Sequence, residues 1–226
     1  LKEGALRGDG EIVRIGFPEY RQYGETENPF GDEDVVRAAR EKIRELPEDE
    51  PFCMYVGTLG PHDPYIVPEK YLELYPLEEI ELPESFEDDL MDKPNLYRRT
   101  QKRFRQLTRE EQKRCLQHYL AFCSYEDALF GEILKELEDR KLLDRTIVIY
   151  LSDHGEYAAA HGLWTKGLPC FEEAYHICSV VGYGGIQAKG KPWKRSFHWQ
   201  TMPPHFWNWP EYLSAEDLPA IRWFRF

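Results

Sequence analysis

Apolar and polar positions along the chain alternate between helical and strand spacing. From Asp32, "DEDVVRAAREKIREL" puts acids in a first turn and Val35, Val36, Ala39 and Ile43 on one face, which predicts an amphipathic helix. Pro47 ends it, because the residue before a proline is steered out of the α region. "PFCMYVGTL" over 51–59 is an apolar run of strand length that stops at Gly60-Pro61. Thr108 with Glu111 fits a capping box. The helix that follows keeps Leu116, Tyr119, Leu120, Cys123, Leu129, Ile133, Leu134 and Leu137 on an apolar face as far as Lys141. "TIVIYL" over 146–151 is almost wholly apolar and β-branched, as expected of a strand covered on both faces. "CSVVGYG" over 178–184 reads as a further strand. Residues 1–31, rich in Gly, Pro and polar side chains, read as irregular connection, and 76–106 as a surface excursion of acidic and basic clusters with prolines. No internal repeat is visible.

Strands alternating with helices predict an α/β layered sheet with right-handed crossovers. In such sheets the chemistry gathers beyond the carboxyl ends of the strands. The polar clusters at 60–65 and 152–166 both fall where an expected strand ends.

Length and composition narrow the picture. At 226 residues the chain can bury one substantial core, and 42% apolar with 14% aromatic residues excludes a disordered or fibrous chain. No apolar run approaches the roughly 20 residues of a membrane-spanning helix. A balance of 29 basic against 41 acidic residues, net −12, argues against general nucleic-acid binding. Cys53, Cys115, Cys123, Cys170 and Cys178 fit no zinc spacing and no closed disulfide set, so free and mostly buried thiols are expected. The chain opens at Leu1 with no charged-then-apolar leader, and the expectation is a removed signal or a start inside a longer protein.

Within "TIVIYLSDHGEYAAAHGLWTKG", Asp153 and His154 follow Ser152 directly after the strand. A carboxylate and an imidazole on a rigid strand end suit a divalent metal; the alternative is that Asp153 caps a helical turn and His154 makes an ordinary hydrogen bond. Lys166 in "LWTKG" can neutralise an oxyanion as a point charge, or simply be solvated. His161 can contact substrate, or serve as a core or capping histidine. His62 in "GPHDPY" sits between prolines that fix its backbone; it is a pre-positioned donor or a turn histidine bonded to Asp63. Together the residues describe an anion site beside a metal.

These segments resemble the sulfatases of the alkaline phosphatase superfamily. "TIVIYLSDHGEYAAAHGLWTKG" with "FEEAYHI" is similar to that family's metal-and-lysine segment, and "PFCMYVGTLGPHDPYIVPEKYLELYP" to its strand-loop with the substrate-binding histidine. "YLAFCSYEDALFGEILKELEDRKLLDRTIVIYLSDHGE" resembles the helix leading into the metal strand, so the likeness runs from Pro51 to Gly185. It implies a mixed, largely parallel sheet between helix layers, here incomplete, and hydrolysis of sulfate esters. The alternatives are a phosphodiesterase or phosphonate monoester hydrolase of the same superfamily, or a non-catalytic anion-binding remnant. It implies Asp153 and His154 as metal ligands, and Lys166 and His62 as the groups that meet the sulfate and serve the leaving group; His161 stays a candidate substrate contact from its own position in the segment. The implied cofactor is one divalent ion, calcium first, with manganese or a zinc-like ion favoured by an imidazole where many sulfatases carry Asn. The implied partner is a sulfate or phosphate ester, and the family tendency is extracytoplasmic.

Three departures stand out. His176-Ile177-Cys178 replaces the family's usual Arg-Val-Pro, and no Cys or Ser here starts the C/S-x-P/A-x-R nucleophile motif. The aspartate pair expected after an N-terminal apolar strand is missing too; Asp88-Asp89 lies in acidic surface sequence. The expectation is a partial sulfatase-like catalytic domain over 1–186, inactive alone, and an atypical tail over 187–226. After Ile186 the last 40 residues hold five of the six tryptophans and six basic against three acidic groups. Read one frame over with chosen codons, the tail resembles the family's "SLADMPPTFLELAGI" helix, so a frameshifted translation is the expectation there.

Overall fold

Helix α4 (Arg109–Asp139) organises the fold. The computed structural model describes residues 7–14, 16–182 and 222–225, so most of the expected tail lies outside the described residues. The capping box at the start of α4 is present in full: Thr108 Oγ1 accepts from Glu111 N at 3.2 Å and Glu111 Oε2 accepts from Thr108 N at 2.7 Å. Such a cap is worth about 1 kcal/mol. Glu111 does more than cap. It also accepts from Gly10 N at 2.9 Å and from both terminal nitrogens of Arg7, which ties the start of the described chain to the helix.

One face of α4 buries Cys115, Leu116, Ala121, Phe122, Tyr125 and Leu129 against Tyr65, Val67 and Trp164. Its last turns place Leu137 with Ile43, Leu46 and Leu142 in a second cluster. Each such apolar side chain, fully buried, contributes about 1.5–3 kcal/mol. Helix α1 (Asp32–Glu45) buries Val36, Ala39 and Ile43, as its spacing predicts, and Leu46 beyond it is extended ahead of Pro47. Arg44 and Arg40 from α1 converge on Glu136 of α4, at 2.9 and 3.3 Å through their Nε atoms.

The strands are short. β1 (Glu11–Arg14) pairs antiparallel with β2 (Phe17–Arg21), and β3 (Tyr23–Glu25) runs parallel to β5 (Tyr65–Val67). β4 (Phe52–Tyr55) runs parallel to β8 (Arg222–Arg225), and β6 (Val148–Leu151) pairs antiparallel with β7 (Ser179–Gly182). The class is α/β with mixed pairing. Two short helices, α2 (Glu69–Leu72) and α5 (Glu172–Tyr175), and one longer one, α3 (Asn95–Phe104), complete the regular elements.

Four expectations change. Residues 1–31 are not wholly irregular: β1, β2 and β3 lie there, each too short and too polar to show an alternation. The 76–106 excursion contains α3, and it buries Leu90, Gln101 and Phe104 in the fold. β6 is not covered on both faces, since Ile149 is 47% and Leu151 53% exposed. Among the described residues its only strand neighbour is β7, itself exposed along its length. Of the cysteines, all free, only Cys115 is buried; Cys53 and Cys123 are half-buried, and Cys170 and Cys178 are exposed on either side of α5.

Candidate active site

Two loops build the site. The first leaves β4 and carries His62. Asp32, the first residue of α1 and 1% exposed, accepts from Leu59 N at 3.0 Å and from Gly60 N at 2.8 Å, so the loop is clamped through its backbone. Gly60 is required there: a Cβ would stand 2.0 Å from Glu126 Oε1 and 2.6 Å from Phe122 Cε2, both on α4. His62 N then closes a turn on Leu59 O at 3.1 Å.

The imidazole of His62 has a defined tautomer. Its Nδ1 lies 2.6 Å from Asp63 O, and a carbonyl only accepts, so Nδ1 carries the proton. Its Nε2 is left as an acceptor and meets Lys166 Nζ at 2.5 Å. Behind it, Asp63 is 7% exposed and accepts from Arg14 Nη1 at 2.8 Å and from Tyr20 Oη at 2.5 Å. Burial and the Asp63 hydrogen bond hold the Tyr20 phenol well above its usual range, so it stays a donor. The carboxylate of Asp63 also sits 3.3 Å from His62 Nδ1, where it would steady an imidazolium.

The second loop leaves β6 and carries Asp153, His154 and Lys166. Gly155 lets it press against α5, where a Cβ would lie 2.0 Å from Glu173 O, and Gly155 N donates to Ala174 O at 2.9 Å. Glu156 then accepts from Ala158 N at 3.2 Å and also from Thr165 N, closing the loop on itself. Burial of its carboxyl pushes Glu156 up to about 7, despite these donors. The turn inside is left-handed at Ala158, Ala159, His161 and Thr165, a conformation that costs non-glycine residues about 1 kcal/mol or more each. It is stabilised by Leu163 and Trp164, both 0% exposed, with Trp164 Nε1 donating to Gln112 of α4. Lys166 emerges from this anchored turn onto the surface, facing His62.

His154 Nδ1 lies 2.7 Å from Gly155 O, so it too is the protonated nitrogen, and Nε2 keeps its lone pair. That Nε2 is 3.7 Å from Asp153 Oδ1, and the Asp153 side chain is 87% exposed. A carboxylate oxygen and an imidazole lone pair presented side by side fit two positions of a divalent shell, with the second-shell hydrogen bond that metal-binding histidines use. No cluster of three or more such ligands occurs among the described residues. The ring of His154 is 6.5 Å from that of His62, so the metal-type pair and the Lys166–His62 pair share one surface.

His161 goes elsewhere. Its Nδ1 is 2.8 Å from Asp88 Oδ2, its Nε2 is 3.7 Å from Glu173 Oε1, and its ring stacks on Phe171 at 3.7 Å. The backbone N–H of Leu90 and the His161 hydrogen bond hold Asp88 below the usual carboxylate range. Asp88 is therefore the partner of a histidine, and no contact joins His161 to the other four residues. The supports, Asp32, Asp63, Glu156, Arg14 and Tyr20, carry no motif of their own. Only Asp63 was visible in the sequence, as the turn partner in "HDP".

The chain is similar in sequence to known sulfatases. The choline-sulfatase of Rhizobium meliloti is 30% identical over 166 residues, covering 69% of this chain and 32% of the relative. A sulfatase of Formosa agariphila is 30% identical over 189 residues, covering 70% and 37%. Human arylsulfatase K is 33% identical over 154 residues, covering 62% and 28%. The chain thus spans about a third of the length of these relatives. The solved phosphonate monoester hydrolase of Agrobacterium radiobacter superposes with a TM-score of 0.56 at 25% identity, over 67% of this chain and 33% of that one. A protein solved with its substrate D-glucosamine-2-N,6-O-disulfate shares the fold, with a TM-score of 0.56 at 18% identity over 68% and 43%. The sequence model of the sulfatase family matches residues 14–205, and the chain belongs to that family.

Proposed function

We propose that this chain forms the metal-and-lysine side of a sulfate-ester hydrolase site. The observation that supports it most is the contact of Lys166 Nζ with His62 Nε2 at 2.5 Å, with His154 beside it. In this reading the ammonium of Lys166 turns to the oxygens of the sulfuryl group, where charge collects as the ester bond breaks. His62 passes the proton on its Nε2, gained from Lys166 or solvent, to the departing alkoxide, and Asp63 steadies the charged ring. Asp153 and His154 would hold the divalent ion, calcium by family resemblance or a manganese- or zinc-like ion by the imidazole, which when bound draws charge from the same oxygens. No residue of the 226 matches the family's nucleophile motif, so the proposal for this chain alone is anion and metal binding without turnover.

A second reading is hydrolysis of phosphate or phosphonate esters at the same groups. Its support is the imidazole at position 154 and the likeness to the Agrobacterium radiobacter enzyme. Relative rates on sulfate and phosphonate esters, in a chain completed with a relative's nucleophile segment, separate the two.

Titration with Mn²⁺ tests the core of the proposal without turnover. Imidazole resonances of His154 broaden first, those of His62 less and those of His176 not at all. Asp153→Ala abolishes the effect. Equal broadening in Asp153→Ala would sink the metal assignment.

A further inference from the structure

The sixteen residues from Lys93 to Thr108 contain six cations and no acid, in a chain of net charge −12. Helix α3 and the residue that caps its C-terminus arrange three of them on one stripe. Arg98, Lys102 and Arg105 follow at i, i+4 and i+7, and with Gln101 they line a cleft of about 650 Å³. Asp89, Met91 and Gln106 form the other walls.

Like charges stacked along one helix face repel, and a structural role normally answers them with carboxylates. Here that answer is missing. Among the described residues no carboxylate oxygen lies within ion-pair distance of Arg98, Lys102 or Arg105, whereas Arg37, Arg40, Arg44, Arg109 and Arg114 are all paired. Arg98 is the clearest case. Its Nη1 rests on Met91 Sδ at 3.0 Å, a weak acceptor, and its Nε is buried with no partner at all. A buried guanidinium nitrogen without an acceptor is unfavourable, and it leaves the charge of Arg98 uncompensated beside the cleft. The polar wall groups are already engaged: Gln106 bonds Val13 at both ends, and Asp89 accepts from Met91 N. What the cleft offers is therefore positive charge in a fork geometry that matches an oxyanion.

Its position adds meaning. Gln101 Nε2 donates to Asp88 O at 2.6 Å and to His161 O at 2.9 Å. The cleft wall is thus bonded to the turn that carries Lys166.

We propose that the cleft between α3 and the 89–91 turn binds a sulfate or carboxylate group on a saccharide, at a point separate from the ester that Lys166 and His62 meet. The choice of a saccharide rests on the sulfate-ester reading; the oxyanion does not. A cleft of this volume admits a sugar ring, and an open, charged wall suits a polar ligand better than an apolar one.

Calorimetry on the 226-residue chain decides it, with three probes: sodium sulfate, a multiply sulfated disaccharide and its unsulfated counterpart. The sulfated disaccharide binds and the unsulfated one does not. Lys102→Ala, at an exposed position, and Arg98→Ala each weaken the sulfated disaccharide about tenfold, the loss expected for one charge-assisted hydrogen bond. Lys102→Ala also makes the salt dependence shallower, while circular dichroism stays that of the parent. Wild-type affinity in both variants overturns the cleft. Sodium sulfate binding as tightly as the disaccharide, and equally sensitive to Arg98→Ala, overturns the saccharide in favour of a free-anion site. Lys166→Ala keeps the two readings apart. A loss in Arg98→Ala but none in Lys166→Ala leaves the cleft standing and removes the ester site.

Discussion

Asp32 Oδ2 accepts the backbone N–H of Gly60 at 2.8 Å, two residues before His62. The first residue of α1 therefore sets the height of a loop whose histidine meets Lys166 across 104 positions of sequence. Asp32 also takes Leu59 N, so one buried carboxylate fixes two successive peptides. Opposite it, Glu126 of α4 fills the space that a side chain at position 60 would need. The geometry of the His62–Lys166 contact is thus set by groups outside that pair.

The clamp predicts a cost for Asp32→Asn. An amide oxygen accepts, but the amide nitrogen placed against a backbone N–H cannot, so one buried donor is orphaned. Chemical denaturation should show a loss of about 1–3 kcal/mol. The His62 ring resonances should shift with it. Unchanged stability and unchanged His62 signals would show that the clamp is incidental.

Gly60→Ala tests the other side. The added Cβ would meet Glu126 Oε1 at 2.0 Å and Phe122 Cε2 at 2.6 Å, contacts that force these side chains or the loop to shift. Overpacking of this kind costs about 1–3 kcal/mol. Glu126→Ala in the same chain makes room and should recover part of it. Failure of the second change to restore anything would point to backbone strain instead of the clash.

Lys166→Ala bears on the anion. Lys166 stands on the anchored Leu163–Trp164 turn and projects to the surface, so its loss should leave the fold intact. Sulfate affinity at the His62 side should fall, and in a chain completed with a nucleophile segment the rate should drop about 10²–10³-fold, as for other oxyanion donors. Wild-type kinetics would leave the lysine merely solvated.

The sequence carried the long elements and the reactive groups. α1 and α4 have enough turns for a 3.6-residue period to show, and the Thr108–Glu111 box marks a boundary that the structure keeps. Asp153 and His154 were visible because they follow the apolar run of β6, and His62 and Lys166 because they sit beside proline and glycine. β1, β2 and β3 were not, since strands of three to five residues give no alternation to count. α3 hid behind its charge: "NLYRRTQKRF" buries only Gln101 and Phe104. The supports of the site were invisible for a different reason. Asp32 reads as an ordinary first-turn acid and Glu126 as a polar helix residue, and only the tertiary fold places both against Gly60.

Two glutamates on α4 predict opposite responses to pH. For Glu111, burial raises the carboxyl, but Arg7 and the N–H groups of Thr108 and Gly10 outweigh it and hold the group at about 2 against an ordinary 4.5. A depressed value means stability that is present above about pH 4.5 and is lost as pH falls through about 2. For Glu126, 5% exposed, burial comes first and the nearby Asp32 adds to it, against a smaller opposing hydrogen bond from Thr58; the group is raised to about 8. Its contribution is complete below about pH 4.5 and is lost as pH rises through about 8. Cys123, Tyr125 and Tyr150, the other titratable groups around Glu126, are all pushed up as well and stay neutral across this window. Glu156, raised to about 7 by burial, adds to the loss in the same window. Urea unfolding should therefore show the chain losing stability between about pH 5 and pH 8, with a slope that Glu126→Gln reduces, most visibly above pH 7, because a neutral amide replaces the neutral acid. Glu111→Gln should instead lower stability at pH 5 and flatten the acid limb. If Glu126→Gln leaves the slope between pH 7 and 8 at its full parental value, the carboxyl is ionised in the fold and its place against Gly60 and Asp32 is not the one described.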